Sequence, residues 1–167
     1  MTSTTSTDYG NGNSDISGTY YDWGVYNAIY NPKTNTTDAP GTWRTVTKDE
    51  WVYLLNTRTT TSGIRYAKGT VMGRAGLIIV PDNWSTSIYS LNNTDTENVA
   101  YTANLISDTD WANMEAAGCV FLPAAGARLG TTMFSVGSGG YYWSATYYNS
   151  DRAYELYFFS SDRKSVV

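Results

Sequence analysis

Residues 139–159 read Gly-Gly-Tyr-Tyr-Trp-Ser-Ala-Thr-Tyr-Tyr-Asn-Ser-Asp-Arg-Ala-Tyr-Glu-Leu-Tyr-Phe-Phe. This stretch holds six of the fifteen tyrosines, and its pattern predicts two strands, 141–146 and 153–159, joined around residues 148–151. A tyrosine-rich β-hairpin is the simplest interpretation, because tyrosine favours strands. Tyrosine mixed with Ser, Asn and Gly is also typical of antibody binding loops, where the rings give rigid contact area and the small polar residues adapt. Composition alone favours the hairpin.

The overall composition predicts a single domain. A chain of 167 residues can bury a sizeable core. Its formal charge of −4, without a Lys/Arg cluster, argues against nucleic acid as a partner, since phosphate binding needs a basic surface. No apolar run approaches the roughly 18 residues of a membrane helix, so we expect no membrane insertion. A Thr/Ser run after Met1 does not match the pattern of a signal peptide.

Cysteine and histidine usage narrows the chemistry. The chain has no histidine, which removes histidine-based triads, most transition-metal sites and the usual general base at neutral pH. A single cysteine, Cys119, allows no intrachain disulfide. It lies in an apolar run, which predicts a buried, inert thiol. We therefore expect no catalytic residue, no bound metal and no cofactor.

Two helix starts share one pattern, in which a hydroxyl residue is followed three positions later by an acid and then by tryptophan. The residues are Thr47, Glu50 and Trp51 in the first, and Ser107, Asp110 and Trp111 in the second. Leu54 and Leu55 continue the apolar face of the first helix, and Gly118 predicts the end of the second. A helix N-terminus is a sufficient structural reason for these acids.

The remaining segments predict short strands and long loops. The further predicted strands are residues 20–29, 76–80 and 164–167. Polar loops are predicted over 31–41 and 85–104. An early strand, two helices and then short strands is an α+β order. Residues 1–18 are polar and turn-prone, and are predicted to form a flexible arm ahead of a domain over 19–167.

A series of landmarks runs from about residue 20 to residue 159. These are 21–29 (Tyr-Asp-Trp-Gly-Val-Tyr-Asn-Ala-Ile), 41–51 (Gly-Thr-Trp-Arg-Thr-Val-Thr-Lys-Asp-Glu-Trp), 56–58 (Asn-Thr-Arg), 76–84 (Gly-Leu-Ile-Ile-Val-Pro-Asp-Asn-Trp), 111–115 (Trp-Ala-Asn-Met-Glu), 120–126 (Val-Phe-Leu-Pro-Ala-Ala-Gly) and 140–144 (Gly-Tyr-Tyr-Trp-Ser). As a set they resemble a family of bacterial surface and phage-associated proteins, abundant in gut Bacteroidetes, with a C-type-lectin-like fold. The resemblance implies the formylglycine-generating-enzyme-like subtype of that fold, with two helices, short antiparallel strands and long loops. The short segment after residue 159 departs from the family pattern.

Some members of this fold class are the variable proteins of diversity-generating retroelements. In these proteins, adenine-directed mutagenesis rewrites codons near the C-terminus, and the scaffold displays the altered side chains. The resemblance implies the following ligand contacts: Tyr147, Tyr148, Asn149, Ser150, Asp151, Arg152 and Tyr154, with Tyr142 flanking them or packed beneath. The tryptophans expected to be mostly buried are Trp23, Trp51, Trp111 and Trp143.

The function implied is a non-enzymatic receptor-binding or adhesion domain. Its partner would be a protein or glycan on another cell or particle, and the domain would be extracellular, on a cell surface or on a phage particle. A structural or adhesive module of a pilus or tail tip, without a diversified site, is the alternative in the same class.

Three further alternatives are weaker. The calcium-dependent sugar motifs of animal lectins, Glu-Pro-Asn and Trp-Asn-Asp, do not occur in the sequence, although residues 92–95 offer oxygen ligands for calcium. Formylglycine-generating chemistry needs two cysteines. A carboxylate hydrolase would have to use Asp108, Asp110 or Glu115.

Overall fold

The computed structural model describes residues 14–32, 34–150, 152–160 and 165–166. The chain divides into two compact units. Unit 1 comprises Met1–Trp51 with Trp143–Glu155, and unit 2 comprises Val52–Tyr142 with Leu156–Val167. Many short strands and few helices, in no alternating order, confirm the predicted α+β class.

The helices and strands of the described residues follow in chain order. They are α1 (Trp23–Tyr26), β1 (Ile29–Asn31), β2 (Thr36–Asp38), α2 (Lys48–Val52), a π-helical turn (Tyr53–Thr57), β3 (Tyr66–Val71), β4 (Arg74–Ile79), a 3₁₀ turn (Tyr101–Ala103), β5 (Leu105–Ile106), α3 (Asp108–Ala116), β6 (Val120–Pro123), β7 (Ala127–Leu129), β8 (Thr132–Phe134), β9 (Gly139–Asn149), β10 (Arg152–Phe159) and β11 (Ser165–Val166). The strands form a four-stranded sheet (β5-β3-β4-β6), a three-stranded sheet (β11-β10-β9) and two hairpins, β1-β2 and β7-β8. None of the helices found in the described ranges is long and apolar enough to cross a membrane.

The predicted strand over 20–29 is wrong, because residues 23–26 form α1 and only Ile29 enters β1. Gly24 explains the difference: it is buried against residue 43, and a Cβ at Gly24 would lie 2.5 Å from the Trp43 carbonyl oxygen. The helical turn brings Gly24 into this contact and leaves Trp23 69% exposed, so the predicted burial of Trp23 is also wrong. The loop predicted over 31–41 contains β2, which pairs antiparallel with β1.

Both predicted helix starts are confirmed. In α2 the Glu50 amide donates to Thr47 Oγ1 (3.3 Å), and the Thr47 amide donates to Glu50 Oε2 (2.9 Å). In α3 the Asp110 amide donates to Ser107 Oγ (3.1 Å).

The end of α3 is also where the sequence predicts it. Gly118 has φ +103°, a conformation that favours glycine, and the Cys119 amide donates to the Met114 carbonyl (3.0 Å). Together with the Gly118 amide donating to the Glu115 carbonyl (2.9 Å), this is a Schellman motif, which satisfies the last helical carbonyls.

The core of unit 2 lies against the four-stranded sheet. Its buried members are Ala67, Val71, Ile78, Val80, Trp84, Leu91, Ile106, Met114 and Cys119. The predicted buried strand over 76–80 is confirmed for residues 76–79, which belong to β4; this strand pairs antiparallel with both β3 and β6. The predictions did not include β3, whose apolar pattern is interrupted by Lys68 and Gly69.

Lys68 is fully buried within unit 2. Its ammonium donates to the carbonyl oxygens of Glu97 and Phe159, the second at 2.6 Å. A buried ammonium needs such acceptors, since an uncompensated charge in a core is costly. Lys68 therefore fixes residue 97 and the end of β10 to β3 within this unit.

Candidate ligand-binding surface

The predicted hairpin strands are confirmed, and both are longer than predicted: β9 reaches Asn149 and β10 starts at Arg152. Asp151 lies outside the described residues. Side chains of consecutive strand residues point to opposite faces. Tyr147 and Tyr148 therefore do not share a face, and the predicted contact set is divided between two sides of the ribbon.

One side of the ribbon carries two tyrosines in contact. Tyr148 is 51% exposed, and its ring meets that of the half-buried Tyr154 edge-on, with centroids 4.9 Å apart and planes at 80°. Lys48 Nζ lies 4.6 Å from the centroid of the Tyr154 ring. Arg152 is exposed and two residues before Tyr154, hence on the same face of β10. We call Tyr148, Tyr154, Lys48 and Arg152 the tyrosine face.

The Lys48 backbone is held as well as its side chain. The Lys48 amide donates to Thr146 Oγ1 (3.0 Å), which fixes the start of α2 to β9. The segment leading into α2 is held by Asp22, whose fully buried carboxylate accepts from the Thr45 amide (2.9 Å) and the Thr45 hydroxyl (2.9 Å). Asp22 thereby helps to position Lys48.

The backbone of β9 is held in unit 1 by bonds to its main-chain atoms. The Ala145 amide donates to the Val46 carbonyl (2.9 Å), and the Ile16 amide donates to the Ala145 carbonyl (3.0 Å). The Tyr147 amide donates to Asp15 Oδ1 (2.7 Å). Residues 14–18 of the predicted arm thus include two that bond to β9, while residues 1–13 lie outside the described part of the chain.

The other predicted contacts lie in different settings. Asn149 and Ser150 are exposed beside the turn, and Tyr147 is half-buried. Tyr142 belongs to unit 2, where its ring stacks on Phe158 (centroids 6.0 Å apart, planes at 11°) and its hydroxyl donates to the Pro123 carbonyl (2.7 Å). Burial raises the pKa of Tyr142 to about 12. This is the setting of a packed residue.

The predicted burial of the other three tryptophans is correct in part. Trp51 is buried as predicted, and Trp111 is half-buried against the core of unit 2. Trp143 is 58% exposed, so its predicted burial is wrong. The small residues Ser144 and Ala145 are buried instead, since the backbones of residues 16 and 46 close on β9 at Ala145.

The side chains of Asp110, Asp95 and Cys119 are engaged in the fold. Asp110 accepts the Ser107 hydroxyl (2.7 Å) in the α3 cap, and burial raises the pKa of the Cys119 thiol to about 12. Asp95, in the predicted calcium loop, accepts the Arg65 amide (3.1 Å) at its Oδ1. Across the described ranges no three His, Cys, Asp or Glu side chains are grouped to hold a metal ion.

Glu155 differs from these. Burial raises its pKa, which Arg152 partly offsets, and its Oε2 is buried with no hydrogen-bond partner among the residues that the structure describes. No sequence pattern singled it out.

Lys48, Thr146 and Asp15 are the positions that the sequence did not predict for this surface. Lys48 carries one signal: a lysine in the first turn of a helix opposes the helix dipole, which suggests a role outside the helix. Comparison with known proteins found no family model, no curated protein and no solved structure that matches the chain.

Proposed function

We propose that this chain is a non-enzymatic ligand-binding domain that contacts its partner through the tyrosine face and the adjoining turn. The observation that carries the proposal is the exposed Tyr148 ring, held edge-on by Tyr154 at the end of a hairpin. Exposed tyrosine and arginine are typical of interface hot spots, and Asn149 and Ser150 add adaptable hydrogen-bonding groups beside them.

The fixed backbone beneath this face supports the proposal. Main-chain bonds at Ala145 and Tyr147, together with the bond from Lys48 to Thr146, hold β9 before any ligand arrives. A surface that is already ordered loses less conformational entropy on binding, so a few anchors give useful affinity. Tyr142 is not part of the surface we propose, because its ring and hydroxyl are both engaged in unit 2.

The proposal includes a C-type-lectin-like fold of the formylglycine-generating-enzyme-like subtype, and display outside the cell or on a phage particle. It rests on the resemblance of the landmark series and agrees with the α+β class. It also includes diversification of codons 147–154 by a retroelement. Sequencing this gene from independent isolates tests that part: we expect differences concentrated in codons 147–154, beside a reverse transcriptase gene and a matching template repeat. Invariant codons there would leave a fixed-site adhesin instead.

Binding through Tyr148 is tested on arrays of proteins and glycans. We expect Tyr148→Ala to weaken binding to every feature that the unchanged protein binds by about tenfold or more, because truncating a hot-spot tyrosine typically costs well over 1 kcal/mol. Its melting temperature should stay close to that of the unchanged protein, since the ring is half exposed.

Two exposed aromatic residues provide matched controls. Tyr53 in unit 2 is 54% exposed and Trp23 in unit 1 is 69% exposed, and neither belongs to the tyrosine face. Tyr53→Ala and Trp23→Ala should bind as the unchanged protein does. If Trp23→Ala lost binding while Tyr148→Ala kept it, the binding surface would have to be placed at α1.

A further inference from the structure

We infer that the tyrosine face takes an acidic segment of a partner protein, with Lys48 and Arg152 binding its carboxylates and Tyr148 packing beside them. The inference rests on the proposed function and names the class of ligand for the same surface. Unlike the contacts at 147–154, Lys48 belongs to α2, so this part of the surface stays constant when the turn changes.

The position of Lys48 supplies a directed positive charge. The amide at one end of the residue is fixed by Thr146, and the ammonium at the other end lies over the Tyr154 ring at 4.6 Å. A ring below the ammonium engages one side of it, while its three N–H donors can still reach an anion on the other side. Tyr148, in edge contact with the same ring, is the adjacent exposed apolar surface.

Among the residues that the structure describes, the two cations at this position are not held in close ion pairs. In the part of the chain that the structure describes, three arginines of other regions form ion pairs: Arg44 with Glu50, Arg58 with Asp82 and Arg65 with Asp95. Neither Lys48 nor Arg152 forms an ion pair with a described carboxylate. Two cations on one face, neither in an ion pair with a described carboxylate, are complementary to a carboxylate-bearing partner.

The described acids near this position are directed elsewhere. Asp15 bonds the Tyr147 amide at the edge of β9, and the exposed Asp49 follows Lys48 at a different angle around α2. Arg152 acts on Glu155 at longer range, where it lowers a pKa that burial raises. Glu155 follows Tyr154 directly in β10, so it points to the opposite face.

Helix stability does not account for Lys48. Thr47 and Glu50 already cap α2, and a cation in the first turn is unfavourable with respect to the helix dipole. We therefore expect Lys48→Gln to change the melting temperature only slightly, because the gain at the helix dipole and the lost contact with the Tyr154 ring oppose each other.

A protein partner fits this face better than an acidic glycan. Tyrosine and arginine beside Asn and Ser is the composition of protein–protein recognition surfaces, where a few aromatic anchors are ringed by polar contacts. An acidic glycan presents carboxylates without the apolar side chains that an exposed tyrosine ring would bury.

The experiment selects binders from a displayed library of random peptides against the immobilised protein, with acidic and neutral glycans assayed in parallel. We expect the enriched peptides to carry Asp or Glu near an aromatic or aliphatic residue. Their binding should weaken by about tenfold or more in the Lys48→Gln/Arg152→Gln double variant and on raising NaCl to about 0.5 M. Arg74→Gln, an exposed arginine of β4, is the matched control and should bind like the unchanged protein.

Each outcome separates the two proposals. Peptides that need Tyr148 but bind the double variant as before, or that lack acids, would overturn the acidic-partner inference and leave the binding surface in place. Peptides insensitive to Tyr148→Ala would overturn both. Enrichment of no peptide, or binding of acidic glycans alone, would overturn the choice of an acidic protein segment.

Discussion

Asp22 is a buried carboxylate that, among the described residues, accepts its hydrogen bonds from Thr45. We predict that Asp22→Ala lowers the free energy of unfolding by about 1–3 kcal/mol, because the Thr45 amide and hydroxyl would lose their buried acceptor. Urea unfolding followed by circular dichroism measures the loss. Asp49→Ala, at an exposed position of the α2 first turn, should change stability by less than about 0.5 kcal/mol. Equal losses would show that Asp22 is not structural.

Glu50 gives stability a pH dependence. The hydrogen bond from Arg44, followed by that from the Thr47 amide, lowers the pKa of Glu50 from 4.5 to about 2. A carboxyl group with a depressed folded-state pKa stabilises the fold fully above its unfolded value and loses that effect as the pH falls toward the folded value. We therefore expect the melting temperature to fall as the pH is lowered from 4.5 to about 2.

Glu50→Gln tests the origin of that loss. Because Gln does not titrate, the melting temperature of the variant should fall less steeply over the same pH window. The effect is modest, since both partners are more than one third exposed and water screens the pair. Identical pH profiles for the two proteins would remove Glu50 as the cause.

At the scale of single residues, burial could be predicted where it depends on neighbours in sequence, and could not where it depends on distant residues. The apolar run around Cys119 predicts its burial, and the helix face predicts that of Trp51, since neighbours in sequence decide both. The exposure of Trp23 and Trp143 does not follow from such patterns, because the nearby Gly24 and Ala145 make contacts with residues far along the chain.

At the scale of elements, the caps and the apolar strand β4 follow from short patterns. Strand β3 does not, because Lys68 lies in its centre, and the carbonyls of residues 97 and 159 that accept from this lysine are far along the chain. Helix α1 contains Gly24, which approaches Trp43 far along the chain, and no local pattern contains that contact.

Gly118 allows a test of one element boundary. We predict that Gly118→Ala destabilises the protein by about 1–2 kcal/mol, because a left-handed backbone crowds a Cβ against the following carbonyl. Chemical denaturation measures this. Gly118→Asn should lose less, since asparagine tolerates this region better. A larger loss for asparagine than for alanine would point to side-chain crowding instead of backbone strain.

At the scale of the whole molecule, we expect backbone amides to differ in their protection from hydrogen exchange. Strands β3 and β4 lie at the centre of the four-stranded sheet and are almost wholly buried, whereas β1 and β2 form an exposed two-stranded hairpin. We expect the slowest amide hydrogen exchange in β3 and β4 and the fastest strand amides in β1 and β2. Exchange in the β1-β2 hairpin as slow as that in β3 would contradict this picture.

The candidate site could be predicted only in part. The sequence pattern predicted the hairpin and the approximate place of its turn, between residues 149 and 152, because both strands are close in sequence. The resemblance implied that Tyr148 is a ligand contact, and its ring is exposed. The role of Lys48 could not be predicted, since Thr146 and Tyr154, the residues it meets, lie about a hundred positions further along the chain.

The location of Lys48 has a practical consequence for anyone who attaches this protein to a surface or a dye. The sequence contains four lysines, at positions 33, 48, 68 and 164. Lys68 is sealed from amine-reactive reagents, whereas an active ester that reaches Lys48 would acylate the proposed contact itself. Maleimide coupling is also unsuitable, because the Cys119 thiol is buried. Immobilisation through an enzymatically joined terminal tag keeps the ammonium intact, and assays that rely on amine coupling would understate binding.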